Sequence, residues 1–195
     1  FYEDNRVLTI SLHESGLYLF PGTGFPKDSG EGAGRGYAVD VPLAPYTGDE
    51  DYLWAFRQVA PPLLGAFRPD AIVTQLGVDC YYSDPLTHLR LTTNGFCAAV
   101  EEFARLGLPW VALGGGGYDV TAVPRLWALA YGVMAGIELP DEIPASFRDR
   151  YGILKLRDAT DVSTVRPEVQ EMVRRAAEES VAQVKRLIFP IHGLV

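Results

Sequence analysis

The chain is 195 residues long, is 48% hydrophobic and carries a formal net charge of −8, from 17 basic and 25 acidic residues. This length and apolar content are those of a globular domain with a substantial core. The acidic balance argues against binding to nucleic acid, because basic side chains supply most of the affinity for a phosphate backbone. We therefore expect no nucleic-acid partner.

The sequence also bears on the cellular compartment. Cys80 and Cys97 form neither a CxxC pair nor a disulfide framework, which favours a reduced, cytoplasmic setting. No run approaches the ~20 apolar residues of a membrane span, and the first residues lack the basic start and apolar centre of a signal peptide. We expect no membrane contact. Because the chain begins without methionine on a polar turn, we also expect it to be a fragment of a larger domain.

Short apolar runs alternate with helix-length segments along the chain. The predicted elements are strands at residues 6–12 and 37–43, a helix at 49–67, a strand at 71–77, a helix at 93–106, a strand at 110–115, and helices at 122–135 and 167–187. Parallel strands need crossover connections, so this alternation predicts an α/β fold with a mostly parallel sheet covered by helices on both faces.

The first predicted helix carries two local signals. Thr47 and Glu50 have the spacing of a capping box, which predicts the start of this helix. Pro61 and Pro62 lie inside it and are expected to kink or interrupt it. We expect the whole chain to belong to one domain, with residues 140–195 as its helical C-terminal extension.

The unusual loops follow the predicted strands. In open α/β sheets, ligands bind beyond the carboxyl ends of the strands, and here those loops span residues 13–36, 78–90 and 114–119. The glycine-rich stretch 21–36 has no GK[ST] ending and does not run into a helix, so it is neither a P-loop nor a dinucleotide fingerprint. Glycines that merely permit turns explain this stretch as well as any function does.

Asp79 follows directly on an apolar strand, where a carboxylate loses solvent unless it is paired or bound to a metal. It is a candidate metal ligand, and the alternative is a cap of a turn or helix start. A catalytic zinc normally takes three protein ligands, but Asp84 and His88 lack a standard ligand spacing and are expected to be turn and surface residues. His13 could be a second ligand but is expected to be packed or hydrogen-bonded, and His192 has no partner pattern.

Tyr118 follows four consecutive glycines in VALGGGGYDV. Glycines let the backbone approach a ligand closely and adopt positive φ without strain. The tyrosine hydroxyl could then reach a site and donate a hydrogen bond to an oxyanion. The alternative is a tyrosine that packs on the following helix.

Four segments, RVLTISLHESGLYLFPGTG, GRGYAVDVPL, QLGVDCYYSDPL and LGGGGYDV, together resemble the second half of a zinc-dependent histone deacetylase, over residues 1–136. Within that family, DCYYSDPLTHLRLTTNG is most similar to a bacterial deacetylase of acetyl-lysine. The resemblance implies the three-layer arginase–deacetylase α/β/α fold. It also implies an acetylated protein or peptide as substrate, with zinc and potassium as cofactors and Fe²⁺ as a possible replacement for zinc.

The resemblance assigns roles to particular residues. It implies that Asp79 is the second zinc-binding aspartate, and that Tyr118 is the catalytic tyrosine that hydrogen-bonds the acetyl carbonyl and then the tetrahedral oxyanion. It further implies that Phe20 is one aromatic wall of the acetyl-lysine tunnel. Leu86 would lie near the tunnel rim, and Gly116 would contact the substrate's alkyl chain through its backbone.

The resemblance also implies two potassium sites. Ser11 and Leu12 match residues that bind a structural potassium ion near the zinc. A second, weaker potassium site matches Phe1, Asp4, Val7 and Tyr37. Asp4 stands where the family usually has threonine, which weakens the second site without excluding it, because a contact through the main chain would survive the change.

Part of the family's active site does not occur in this sequence. The paired catalytic histidines, and the aspartate and histidine zinc ligands of a D-x-H-x-G-D-G stretch, are not found. We therefore expect the C-terminal half of a lysine deacetylase, inactive alone, with the N-terminal half of the domain as its partner. Two alternatives stay open: an amidohydrolase of the same fold that acts on acetylpolyamines, and a non-catalytic remnant that binds acetyl-lysine.

Overall fold

The computed structural model describes residues 1–159 and 162–195. Every predicted strand and helix is present, and the strands pair in parallel, which confirms the α/β class. The elements are β1 (Thr9–Glu14), β2 (Ala38–Leu43), α1 (Asp49–Phe67), β3 (Ile72–Leu76), α2 (Thr93–Ala104), β4 (Trp110–Gly114), α3 (Val123–Ala135), α4 (Ala145–Tyr151) and α5 (Pro167–Ile188). None of the described helices is long and apolar enough to cross a membrane.

The chain divides into two compact units. The first comprises Phe1–Pro69 and Val165–Val195, and the second comprises Asp70–Thr164. In the first unit β1 pairs with β2 in parallel, and α5 packs against β2 and α1. The inward-facing residues of these elements form its core: Val39, Val41, Leu43, Val59, Leu63, Val173 and Val184. The expectation of one domain with a helical extension at residues 140–195 stays a prediction.

Helix α1 starts where it was predicted to start, but for a different reason. Its N-cap is Gly48, which makes no side-chain cap. The hydroxyl of buried Thr47 instead donates to a backbone carbonyl three residues earlier, at 2.7 Å, so the predicted capping box is wrong. The helix also runs unbroken through Pro61 and Pro62. Pro61 lies on its exposed side, where water can reach the carbonyl that lost its donor.

In the second unit β3 pairs with β4 in parallel, from Ile72 opposite Trp110 to Leu76 opposite Gly114. Leu76 and Trp110 pack against a buried cluster built largely from α2, α3 and the segment after β3: Val78, Tyr81, Phe96, Val100, Ala122, Leu126 and Ala130. Successive side chains of β3 and β4 point to opposite faces of the pair. On the face away from this cluster, Val73, Val111 and Leu113 are more than half exposed. The second face of this strand pair is therefore an exposed apolar surface.

Helices α2 and α4 of the second unit differ in how clearly the sequence predicts them. The Thr92 side chain caps α2 by accepting hydrogen bonds from the backbone N–H groups of Asn94 (3.1 Å) and Gly95 (3.4 Å). The short helix α4 has no buried residue. Its seven residues carry a single apolar i, i+4 pair, Phe147 and Tyr151, which is too short a pattern to predict a helix from sequence.

Candidate functional site

Two loops leave the β3/β4 pair at the same edge. Because the strands are parallel, the residues after Leu76 and after Gly114 emerge side by side. The Val78 N–H donates to the Gly116 carbonyl at 2.7 Å, which continues the pairing beyond the strands. Asp79 and Tyr118 thus follow on neighbouring segments at the carboxyl edge, where α/β folds place their ligands.

The four glycines are required by the side chains around them. A Cβ on Gly114 would lie 3.1 Å from two ring atoms of Trp127, and a Cβ on Gly115 would overlap the Gln75 amide. A Cβ on Gly116 would overlap the Asp79 carboxylate. Gly117 has φ +143°, which disfavours any other residue. The glycine run therefore lets neighbouring side chains lie directly on its backbone.

Asp79 is half-buried against this loop. Its carboxylate would touch any Cβ added to Gly116, so it lies over the backbone two residues before Tyr118. Burial raises the pKa of Asp79 and the charge of Asp84 adds to this, while the backbone N–H groups of Asp79 and Cys80 oppose it. The N–H contacts fit a turn cap. The burial fits a metal ligand, because a bound cation would stabilise the charged carboxylate in place of the water that it has lost.

Asp84 joins the two loops. Its Oδ1 accepts hydrogen bonds from the backbone N–H groups of Leu86 (2.9 Å) and Thr87 (3.3 Å), and its Oδ2 accepts from the Tyr118 N–H at 2.8 Å. The side chain is buried. Asp84 was expected to be a turn residue, and it does form the turn, but sequence reasoning missed its bond to Tyr118. The neighbouring His88 is exposed, as expected.

The Asp119 carboxylate also joins the two loops, but it belongs to the loop after β4 and binds the loop after β3. The Ser83 hydroxyl donates to Oδ2 of Asp119 at 2.5 Å. Oδ1 of Asp119 accepts from the hydroxyl of Thr121 at 2.7 Å and from its N–H at 2.8 Å, just before α3 begins. Each loop therefore supplies an aspartate that the other loop binds, and the two loops are held as one structure.

The side chains that would meet a substrate in this unit are accessible. Tyr118 is 53% exposed and Leu86 is 56% exposed. A tyrosine packed into the following helix would be largely covered, so its exposure favours a hydroxyl that is available to a ligand. Asp79, Leu86, Gly116 and Tyr118 all lie on the two joined loops.

The other residues named by the resemblance lie in the first unit. Phe20 is 92% exposed, beyond the end of β1. Ser11 and Leu12 lie within β1, opposite Asp40 and Val41 of β2. The residues matched to the second potassium site are Phe1, Asp4 and Val7, before β1, and Tyr37, next to β2.

The Asp4 carboxylate has a local partner. Arg6 donates to it from its backbone N–H at 2.9 Å and from Nη2 at 2.6 Å. These hydrogen bonds lower the pKa of Asp4 to about 2. Any role of Asp4 at the second potassium site would therefore fall to its main chain.

The histidines at the strand end and near the C-terminus make hydrogen bonds to the backbone. Nε2 of His13 donates to the Gly24 carbonyl (3.0 Å), and its Nδ1 lies 2.9 Å from the Ser11 hydroxyl. Nε2 of His192 donates to the Gly36 carbonyl at 2.8 Å. The expectation that His13 is a hydrogen-bonded histidine is confirmed.

A buried charged network behind the loops was missed in the sequence. Nη2 of Arg125 donates to Oδ1 of Asp158 at 2.6 Å. The Tyr81 hydroxyl accepts from Nη1 of Arg125 at 3.1 Å and donates to Oδ1 of Asp158 at 2.9 Å. Both charged side chains are under 10% exposed. The second Asp158 oxygen accepts from the Thr93 N–H at 2.9 Å. The only sequence signal was an arginine within the apolar run of α3.

These hydrogen bonds support the loop that carries Asp79. Burial raises the pKa of Tyr81, so its hydroxyl stays protonated and can donate to Asp158. Tyr81 is two residues after Asp79. The network therefore connects this loop to the start of α2, to α3 and to the segment around residue 158.

The chemistry of Asp79 fits one ligand of a divalent cation, but one ligand is not a site. Within residues 1–159 and 162–195, no group of three or more His, Cys, Asp or Glu side chains could hold a metal ion. A catalytic zinc requires about three protein ligands. The described residues therefore do not complete the zinc site that the resemblance implies.

The histone deacetylase domain model matches residues 1–134, and the chain belongs to that family. The chain is 44% identical over 154 residues to the acetoin utilization protein AcuC of Bacillus subtilis, covering 74% of this chain and 39% of that protein. It is 41% identical over 144 residues to the histone deacetylase clr6 of Schizosaccharomyces pombe, covering 74% of this chain and 35% of that protein. The bacterial member of the family to which the sequence was predicted to be similar is this acetoin utilization protein, and that likeness is confirmed.

The fold has a solved counterpart. The crystal structure of an HDAC homolog from Aquifex aeolicus superimposes with a TM-score of 0.78 at 29% identity, covering 91% of this chain and 52% of that one. This confirms the arginase–deacetylase α/β/α fold. The chain spans about half of this structure and less than half of the curated relatives named above.

Proposed function

We propose that this chain is the C-terminal part of a zinc-dependent deacetylase that hydrolyses acetyl-lysine on proteins to lysine and acetate. One observation carries the proposal: the Asp79 carboxylate lies against the backbone of Gly116, and Gly116 is two residues before the exposed Tyr118. A carboxylate ligand and a phenolic donor at one edge are two of the groups that amide hydrolysis at a metal uses. Family membership supports the deacetylase class.

In this proposal Asp79 is one ligand of a zinc or Fe²⁺ ion, and the other ligands come from polypeptide outside this chain. The bound metal would act as a Lewis acid on the amide carbonyl. Burial raises the pKa of Asp79, which means that the protein environment disfavours its charged form. A bound cation would reverse this preference, which fits the ligand role.

Tyr118 would donate its hydroxyl to the substrate carbonyl, and this bond would strengthen as negative charge develops on the oxygen. The backbone at Gly116 would lie along the alkyl chain of the lysine, because Gly116 has no side chain of its own. Leu86 would form an apolar part of the channel rim, and the resemblance gives Phe20 the role of an aromatic wall. Their exposures of 56% and 92% support the proposal that they face a substrate or further polypeptide.

Potassium would have a structural role. Backbone carbonyls are suitable potassium ligands, and we propose that Ser11 and Leu12 bind one such ion. The second, weaker site would use Phe1, Asp4, Val7 and Tyr37. The pairing of the Asp4 carboxylate with Arg6 supports a main-chain contact there.

The partner in this proposal is the N-terminal half of the same fold. The chain covers 39% of the B. subtilis AcuC that it matches. Val73, Val111 and Leu113 leave one face of β3 and β4 apolar and exposed, the kind of surface that further polypeptide covers. Cytoplasmic location and a lack of nucleic-acid or membrane partners remain expectations from the sequence.

The test uses the protein as its gene encodes it, assayed on an acetyl-lysine peptide and on an acetylpolyamine. We expect turnover of the peptide, and its loss in Asp79→Asn and Tyr118→Phe. Asp70→Asn is the matched control, because Asp70 is exposed and precedes β3, at the opposite end from the site. Isolated residues 1–195 should be inactive.

Each alternative has its own result. Faster turnover of the acetylpolyamine than of the peptide would assign the enzyme to small amides. Binding of the acetyl-lysine peptide without turnover would assign a non-catalytic role. Full activity of Asp79→Asn would show that the carboxylate is a turn cap, and the metal role would be withdrawn.

A further inference from the structure

We propose that Asp84 is a positioning residue that fixes Tyr118 relative to the loop carrying Asp79. This role rests on the proposed deacetylase function, in which Tyr118 meets the substrate and Asp84 does not. Asp84 acts through its hydrogen bonds alone. The inference follows from where its two oxygens lie.

The two oxygens of Asp84 serve different segments of the chain. Oδ1 accepts from the N–H groups of Leu86 and Thr87, two and three residues ahead, which closes a local turn. Oδ2 accepts from the N–H of Tyr118 at 2.8 Å, across 34 residues of sequence. Asp84 is only 8% exposed, so water cannot easily replace these bonds.

A carboxylate suits this position better than an amide. A charged acceptor makes stronger hydrogen bonds than a neutral one, and an asparagine has one acceptor oxygen instead of two. In Asp84→Asn we expect that oxygen to keep the turn, where two N–H groups face it. The amide NH₂ would then face the N–H of Tyr118, donor against donor, and that bond would be lost.

Tyr118 needs such an anchor because glycines precede it. The run from Gly114 to Gly117 carries no Cβ, so its own side chains cannot define the path of the backbone. The hydrogen bond to Asp84 fixes the first residue after the run. Without it, the Tyr118 backbone would lose the hydrogen bond nearest to its ring, while the flanking bonds of Gly116 and Asp119 would still hold the two loops together.

The same turn also reaches Asp79. The Thr87 hydroxyl donates to the Asp79 carbonyl, and the Thr87 N–H donates to Asp84. A chain of hydrogen bonds therefore runs from Tyr118 through Asp84 and Thr87 to Asp79. Asp84 sets the separation of the proposed oxyanion donor and the proposed metal ligand.

The experiment is a double-mutant cycle in the protein as its gene encodes it, with an acetyl-lysine peptide as substrate. Asp84→Asn should lower kcat by about tenfold to a hundredfold with little change in KM, since misplacing a catalytic group by about 1 Å costs up to that much. In the Tyr118→Phe background the same change should cost less than about twofold, because the hydroxyl that it positions is already gone. Asp70→Asn should leave both backgrounds unchanged. Equal losses in both backgrounds would make Asp84 a merely structural residue and overturn the proposal.

Amide hydrogen exchange separates this inference from the proposed function. In wild-type protein the Tyr118 N–H should be protected, and in Asp84→Asn it should exchange roughly tenfold faster or more, because a hydrogen bond to a charged group has been removed. If the wild type proves inactive, the deacetylase proposal fails, and the positioning of Tyr118 by Asp84 is still decided by this rate. Unchanged exchange at Tyr118 in folded Asp84→Asn would overturn it.

Discussion

Gly116→Ala is the sharpest perturbation of the candidate site. The added Cβ would lie 2.7 Å from Cγ of Asp79, whereas carbon atoms in contact are normally about 3.5–4.0 Å apart. Gly116 does not have positive φ, so alanine brings no backbone strain there. The three atoms nearest to the new Cβ all belong to Asp79, whose carboxylate must retreat by about 1 Å.

A retreat of this size should leave the fold intact and impair catalysis. Overpacking typically costs about 1–3 kcal/mol of unfolding free energy, while a misplacement of about 1 Å can cost about a hundredfold in rate. We expect kcat on an acetyl-lysine peptide to fall by about that factor in the protein as its gene encodes it. Urea denaturation would measure the cost in stability.

Gly65→Ala is the matched control. Gly65 lies on the exposed side of α1, and a Cβ there meets nothing within 4 Å. This change should leave kcat unaltered and stabilise the protein by up to about 1 kcal/mol, because alanine has a higher helix propensity than glycine. If Gly116→Ala folds and retains activity within threefold of wild type, the Asp79 carboxylate does not need its observed position, and the reasoning is refuted.

Four further predictions concern the oxyanion donor, the buried ion pair, the metal and the half-buried thiol of Cys97. Tyr118→Phe should leave the unfolding free energy nearly unchanged and lower kcat by about 10²–10³; unfolding with unchanged activity per folded molecule would make it a packing residue. Arg125→Met strands the buried Asp158 and should cost about 3–5 kcal/mol in chemical denaturation, with partial recovery on adding Asp158→Asn; a cost below ~1 kcal/mol would contradict the network's role. Residues 1–195 alone should bind zinc weakly, and tight stoichiometric zinc in metal analysis would show that the ligands are misassigned. Burial raises the pKa of Cys97 to about 11, so its alkylation by iodoacetamide should still rise about tenfold per pH unit near pH 9, because only the thiolate reacts; a plateau there would contradict this pKa.

Local pattern determined most of the secondary structure. Helix α1 has the predicted bounds, and β2, β3 and β4 lie inside the predicted runs, because apolar periodicity is a property of neighbouring residues. Strand β1 begins at Thr9 and extends to Glu14, beyond the predicted run, because its bounds are set by pairing with β2. The order of strands and helices was enough to place the loops after β3 and β4 at the ligand edge.

Local sequence pattern was a poor guide where a polar group could choose between several hydrogen-bond partners. Thr47 and Glu50 have the spacing of a capping box, but the Thr47 hydroxyl bonds backwards to a carbonyl of the preceding turn. The two prolines do not interrupt α1, and Pro61 lies on its exposed side, where water can reach the freed carbonyl. Which partner a hydroxyl or a carbonyl finds depends on exposure, which a spacing rule does not contain.

The sequence by itself determined the α/β class, the family likeness, and Asp79 and Tyr118 as the residues of interest. Tertiary structure alone showed that Asp84 binds the Tyr118 N–H across 34 residues, and that Arg125 pairs with Asp158 across 33. Periodicity reports only which face of an element is apolar, so it carries no signal for a polar contact between distant segments. Such contacts form because a buried donor or acceptor must be paired, and only the folded chain decides which partner is within reach.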